Sequence, residues 1–199
     1  GQTLTPATGL NEFISTLVMC SKLESILPEK ELLKIIVYIE ATIPFRGPDA
    51  EGLGPFEKLE ARLRQVSQAH AIPLTEAEIE ATIQGSVVFA NKDVENFSET
   101  EPSRFLENTW KLLPETNIPL RSGSLYSIRE YRQALQKMHS FLVELDPDAV
   151  MHNYKGVPPE DVYRQMVEHT HRNVETAREY LGTKLLATAM LEALADLTG

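Results

Sequence analysis

Cysteine is almost missing from this 199-residue chain, and Cys20 stands alone. One thiol excludes an internal disulfide and a cysteine-rich zinc site. Cys20 sits in the apolar run Leu17-Val18-Met19-Cys20, so it reads as a small buried hydrophobe rather than a nucleophile. Positive charge is also short: 19 basic residues face 29 acidic ones, a net charge of −10. An acidic surface repels phosphate backbones and anionic lipid, so neither nucleic acid nor a membrane is an expected partner. No apolar run is long enough to span a bilayer, and the first residues lack the basic cluster and apolar stretch of a secretory signal. The expectation is a cytoplasmic protein. Familiar catalytic patterns are missing too. There is no Gly-x-Ser-x-Gly, no phosphate-binding glycine loop with Lys-Ser/Thr, no dinucleotide fingerprint and no His-Glu-x-x-His. His169 and His171 are two apart, which on a helix turns them about 200° from each other and away from shared metal ligation.

What remains is helical periodicity punctuated by Pro and Gly. Residues 1–8 read as a flexible N-terminal arm, and 9–199 as a single helical domain, since no Gly/Ser-rich linker divides them. Leu10, Phe13, Ile14, Leu17 and Val18 fall at helical spacing, and Pro28 closes that segment. A more apolar helix follows over 29–43. Phe56, Leu59, Leu63 and Val66 mark a third, ending near His70. Thr75 with Glu78, and Ser127 with Glu130, have the spacing of capping boxes, in which side chain and backbone exchange hydrogen bonds at a helix start. They predict helices from Glu76 and over 128–145. Pro102 opens a short helix that Pro114 stops, and 114–125 reads as loop. Asp146-Pro147 begins a turn, and Gly156 to Pro159 is the last break. A final helix then runs from Pro159 to Leu197 with a weak point at Gly182. Strand signals are nearly absent, so the expected fold is all-α with seven or eight helices.

Three segments hold polar residues beside apolar helix. In Phe89-Ala90-Asn91-Lys92-Asp93-Val94-Glu95-Asn96-Phe97, acids and amides follow an apolar helix directly. Asp93 there suits a metal ligand or general base, or these groups simply cap the helix end. In Ile39-Glu40-Ala41-Thr42-Ile43-Pro44-Phe45-Arg46, Glu40 follows large apolar residues and needs a partner if buried. Arg46 and Lys92 are the candidates. Glu40, Thr42 and Arg46 either line a pocket or form a structural ion pair. In Asn108 to Asn117, the only tryptophan, Trp110, precedes a polar Pro-bounded stretch, which fits a binding loop or an ordinary helix stop.

The order Glu40-Ala41-Thr42-Ile43-Pro44-Phe45, then Ala90-Asn91-Lys92-Asp93-Val94-Glu95, then Phe105-Leu106 and Leu112-Leu113-Pro114-Glu115 resembles the later half of the HD and cyclic-nucleotide phosphodiesterase-like helical phosphohydrolases. That resemblance implies an HD-like scaffold, with Asp93 at the late metal-binding aspartate and Thr42 in the Ala-Thr element. The chain departs from the family in lacking its His and His-Asp ligands, for no histidine precedes His70.

Three functions are therefore expected in competition. The first is a small-molecule-binding helical domain on a phosphodiesterase-like scaffold, with pocket groups Glu40, Thr42, Arg46, Asn91, Asp93, Asn96 and Asn117. In it Arg46, Lys92 and Arg129 receive an anionic substituent. The second is a divergent metal-dependent phosphohydrolase with Glu40, Asp93 and Glu95 as ligands, a carboxylate set that favours magnesium or manganese over zinc. The third is a protein–protein module, with a homodimer through the C-terminal helix. There Leu181, Leu185, Leu186, Ala189, Met190, Leu194 and Leu197 make a broad apolar face that serves as core or as interface.

Overall fold

The computed structural model of the protein describes residues 4–5, 8–121 and 126–198. Most of the expected arm at 1–8, and the end of the expected loop at 114–125, fall outside them. Among the described residues the chain is all-α, with eight α-helices and no strand beyond an isolated bridge between Tyr154 and Val157. The helices are α1 (Leu10–Leu23), α2 (Glu29–Ala41), α3 (Pro55–Ala69), α4 (Glu76–Asp93), α5 (Pro102–Thr116), α6 (Ile118–Arg121), α7 (Ile128–Glu144) and α8 (Glu160–Thr198). No described helix is long and apolar enough to cross a membrane. The contacts group the chain into two compact units, residues 1–95 with 148–164 and residues 96–147 with 165–199.

In the first unit, α2, α3 and α4 enclose a core of Leu33, Val37, Phe56, Leu59, Leu63, Ile83 and Val87. Thr75 and Glu78 form the expected capping box, which fixes the start of α4. Lys30 pairs with Glu78, while eight residues on Tyr38 meets Phe89 ring to ring at 5.8 Å, so α2 and α4 run parallel. Their C-terminal ends, which carry Glu40 and Asn91, therefore lie at the same end of the unit. Gly85 makes the close approach possible, since a Cβ there would stand 1.9 Å from the Tyr38 hydroxyl. Gly9 does the same for α1. Its φ of +99° is left-handed, and a Cβ would come within 2.6 Å of Ile43 Cδ1.

In the second unit, Phe105 and Leu113 of α5, Leu135 and Leu142 of α7, and Val174, Ala177 and Leu181 of α8 are almost fully buried. Arg178 crosses from α8 to donate to the Leu142 and Leu145 carbonyls, at 2.8 and 3.0 Å, which places a cation on the negative end of α7. Asn173 donates from Nδ2 to the carbonyls of Phe97 and Glu99, fixing the short 3-10 turn Glu95–Ser98 and the residue after it. Ser127 and Glu130 form the second capping box.

Two local expectations are corrected. Pro114 does not stop α5 but lies within its last turn. Only one backbone donor is lost there, and the neighbouring carbonyls are served by side chains. Thr116 Oγ1 donates to Leu112 and Leu113, and Asn117 Nδ2 donates to Leu113 at 2.9 Å. Gly182 is no weak point either, for α8 continues through it without a break.

Candidate functional site

Glu40 and Arg46 do face one cavity, of about 610 Å³, at the end of the first unit where α1, α2 and α3 meet. Glu12 and Phe13 of α1, Arg62 of α3, and Ile43 just past α2 join them in its wall. Thr42 does not. It ends α2, and its hydroxyl donates to the Ile39 carbonyl at 2.8 Å.

The partner of Glu40 is neither Arg46 nor Lys92. Arg62 reaches it from α3. Arg46 is turned instead onto main chain, with Nε donating to the Ile43 carbonyl at 3.1 Å and Nη2 to the Glu40 carbonyl at 2.9 Å. Those are the last carbonyls at the end of α2, where a cation is favoured. Burial pushes the Arg46 guanidinium below its ordinary value, and the nearby carboxylates of Glu40 and Glu12 act against that. It stays charged, as guanidinium does. Glu12 is the unusual member. Its Oε2 is buried and meets no hydrogen-bond donor among the described residues.

The segment after α4 disperses its polar groups. Asn91 is buried, and its amide is spent on one residue: Nδ2 donates to the His152 carbonyl at 2.8 Å while the His152 N–H donates to Oδ1 at 2.9 Å. Asp93 is exposed at the end of the helix, and Lys92 and Glu95 are exposed and paired with each other. Among the described residues no three His, Cys, Asp or Glu side chains are placed to hold a metal, and that includes Glu40, Asp93 and Glu95.

The remaining candidates belong to the second unit. Asn96 accepts from Asn108 Nδ2 at 2.6 Å. Asn117 is buried at the end of α5. Arg129 joins Arg132 in gripping Glu192 of α8. Trp110 packs edge-on against Tyr131 and Tyr180, with Lys184 Nζ 5.4 Å above its ring.

Sequence reading missed a charged cluster in the first unit. Glu60 is 8% exposed and receives Arg64 at 2.7 Å, Lys155 at 2.8 Å and the Tyr154 hydroxyl. Burial raises its carboxyl, but these three donors outweigh that and bring it down to about 2. Beside it, the His152 ring packs edge-on to Phe56 at 5.1 Å. Burial, reinforced by the Arg46 charge, pushes His152 down to about 4, so the ring is neutral near pH 7.

The apolar face of α8 is divided. Leu181 and Thr188 point inward, whereas Leu186, Met190, Leu191, Leu194 and Leu197 are 56–82% exposed. A second outward apolar stripe lies on α1, where Phe13, Ile14, Leu17 and Val18 are each about half exposed and no residue is buried. Cys20, expected to be buried, is half-buried on the side of that helix.

Comparison with family models, with curated proteins and with solved structures gave no match.

Proposed function

We propose that this chain is a helical assembly module that pairs with a second copy of itself through the C-terminal half of α8. The observation that carries the reading is the exposed stripe of Leu186, Met190, Leu194 and Leu197, with Leu191 beside it. The spacing of four, four and three residues keeps the stripe on one helical face over about 16 Å. Contiguous apolar surface of this kind is uncommon on a monomer and marks contact surfaces.

Charge favours a second copy over an oppositely charged partner. Between Leu185 and Thr198 only Glu192 and Asp196 ionise, and Glu192 is already neutralised by Arg129 and Arg132. Two such faces meet with little like-charge repulsion. The same two arginines tie α7 to the face of α8 opposite the stripe, which leaves the stripe itself uncovered by α7.

Sedimentation velocity over a concentration series tests this. The wild type is expected to shift toward dimer as concentration rises, and Leu194→Glu to remain monomeric with an unchanged helical circular dichroism spectrum. A wild type that stays monomeric throughout, or a variant that dimerises equally well, would sink the reading. The phosphohydrolase alternative gains no support from the side-chain arrangement, because Glu40 is tied to Arg62 while Asp93 and Glu95 stand exposed.

A further inference from the structure

Independently of that assembly, we infer that the cavity between Glu12 and Arg46 binds a small zwitterion of the amino-acid class, its ammonium on Glu12 and its carboxylate on Arg46. The cavity, about 610 Å³, is within the range of small-molecule sites. It is lined by two carboxylates and two guanidiniums, so its formal charge sums to zero.

The four charges are not equivalent. Glu40 and Arg62 satisfy each other across α2 and α3. Glu12 and Arg46 line the same cavity and feel each other's charge, but among the described residues neither forms an ion pair. Arg46 spends Nε and Nη2 on two backbone carbonyls and makes no hydrogen bond through Nη1 to any described residue. A guanidinium offers five N–H donors in one plane, and a carboxylate is the group that plane matches.

Glu12 supplies the other half. No described residue donates to this buried carboxylate oxygen, an arrangement that costs free energy in the folded chain and that a ligand donor would relieve. An ammonium meets that need with three N–H groups. A ligand with only one charge would leave either Glu12 or Arg46 uncompensated in a partly desolvated cleft. A zwitterion answers both and keeps the cavity neutral. Phe13, Ile36 and Ile43 form the apolar part of the wall, which suits an aliphatic or aromatic side chain.

Thermal shift with a panel of free L-amino acids, followed by calorimetric titration of the best one, tests the inference on the full chain. At least one free amino acid is expected to bind. Its N-acetyl form, which lacks the ammonium, and its methyl ester, which lacks the carboxylate, are each expected to bind roughly tenfold more weakly or worse. Glu12→Gln should weaken the free amino acid by a similar factor and leave the N-acetyl form unchanged. Glu12→Gln is the decisive variant, because Arg46 also holds the end of α2 and its loss disturbs the fold. The inference is overturned if no free amino acid binds, if the blocked forms bind as well as their parent, or if Glu12→Gln binds as the wild type does.

Discussion

Asn91 illustrates how a polar residue at the end of an apolar helix comes to be buried. Its carboxamide carries a donor and an acceptor side by side, and the His152 backbone presents the carbonyl and the N–H that match them. Asn91→Leu leaves two backbone groups at His152 without their partner. The expected loss is about 2–4 kcal/mol of unfolding free energy, read by urea denaturation. A loss below about 1 kcal/mol would mean that the 148–164 segment is held without this clamp. The residues around Asn91 were legible in the sequence as an unusual polar run, but their roles were not. Asn91 and Glu95 stand four residues apart, yet one is buried on His152 and the other is exposed beside Lys92. Glu60 was not legible at all. Its partners Tyr154 and Lys155 lie 94 and 95 residues away, and nothing local marks them. Glu40 was read as a carboxylate that Arg46 or Lys92 would pair with, but Arg62 reaches it across a helix contact that periodicity cannot display.

Helix boundaries are a different matter, because the chemistry that sets them is local. Both capping boxes lie within four residues, and both form as their spacing requires. Pro114 shows where local reading fails. A proline near a helix end removes one hydrogen bond, and whether the helix stops there depends on what serves the remaining carbonyls. Gly85 is a case in which packing overrules helix propensity. In mid-helix, Gly→Ala is ordinarily worth about 1 kcal/mol of stability. In α4 the added methyl would meet the Tyr38 hydroxyl at 1.9 Å, so α2 or the Tyr38 ring must move. Gly85→Ala is therefore expected to bring no stabilisation in the wild type, and to recover about 1 kcal/mol once Tyr38→Ala has cleared the space. Equal gains in both backgrounds, measured as a double-mutant cycle, would show that the Tyr38 contact does not set the spacing of α2 and α4.

For the molecule as a whole, two groups of the first unit contribute in separate windows to the acid side of the stability profile. His152 is held at about 4, below its ordinary 6.5, so the unfolded chain takes up a proton that the folded chain refuses. The sign is then fixed: the contribution is complete above about pH 6.5 and is lost progressively toward pH 4. Glu60 acts in a second window. Its carboxyl lies at about 2 against an ordinary 4.5, so its contribution is complete above about 4.5 and disappears as the pH falls through 2. The excess of acidic residues works the other way, because neutralising carboxylates relieves the repulsion of a chain carrying −10. That relief begins only where carboxylates titrate, so between about pH 6.5 and 5 the His152 effect stands without it. Denaturation at a series of pH values should show stability falling by about 2 kcal/mol between about pH 6.5 and 5. His152→Phe, which keeps a ring against Phe56, is expected to flatten that fall without changing the lower one. Glu60→Gln should leave the His152 fall in place and cost about 3 kcal/mol near pH 7, because Lys155 and Arg64 lose the charge they converge on. If His152→Phe retained the full slope above pH 5, the neutral, half-buried imidazole would not be the group that makes this fold acid-sensitive.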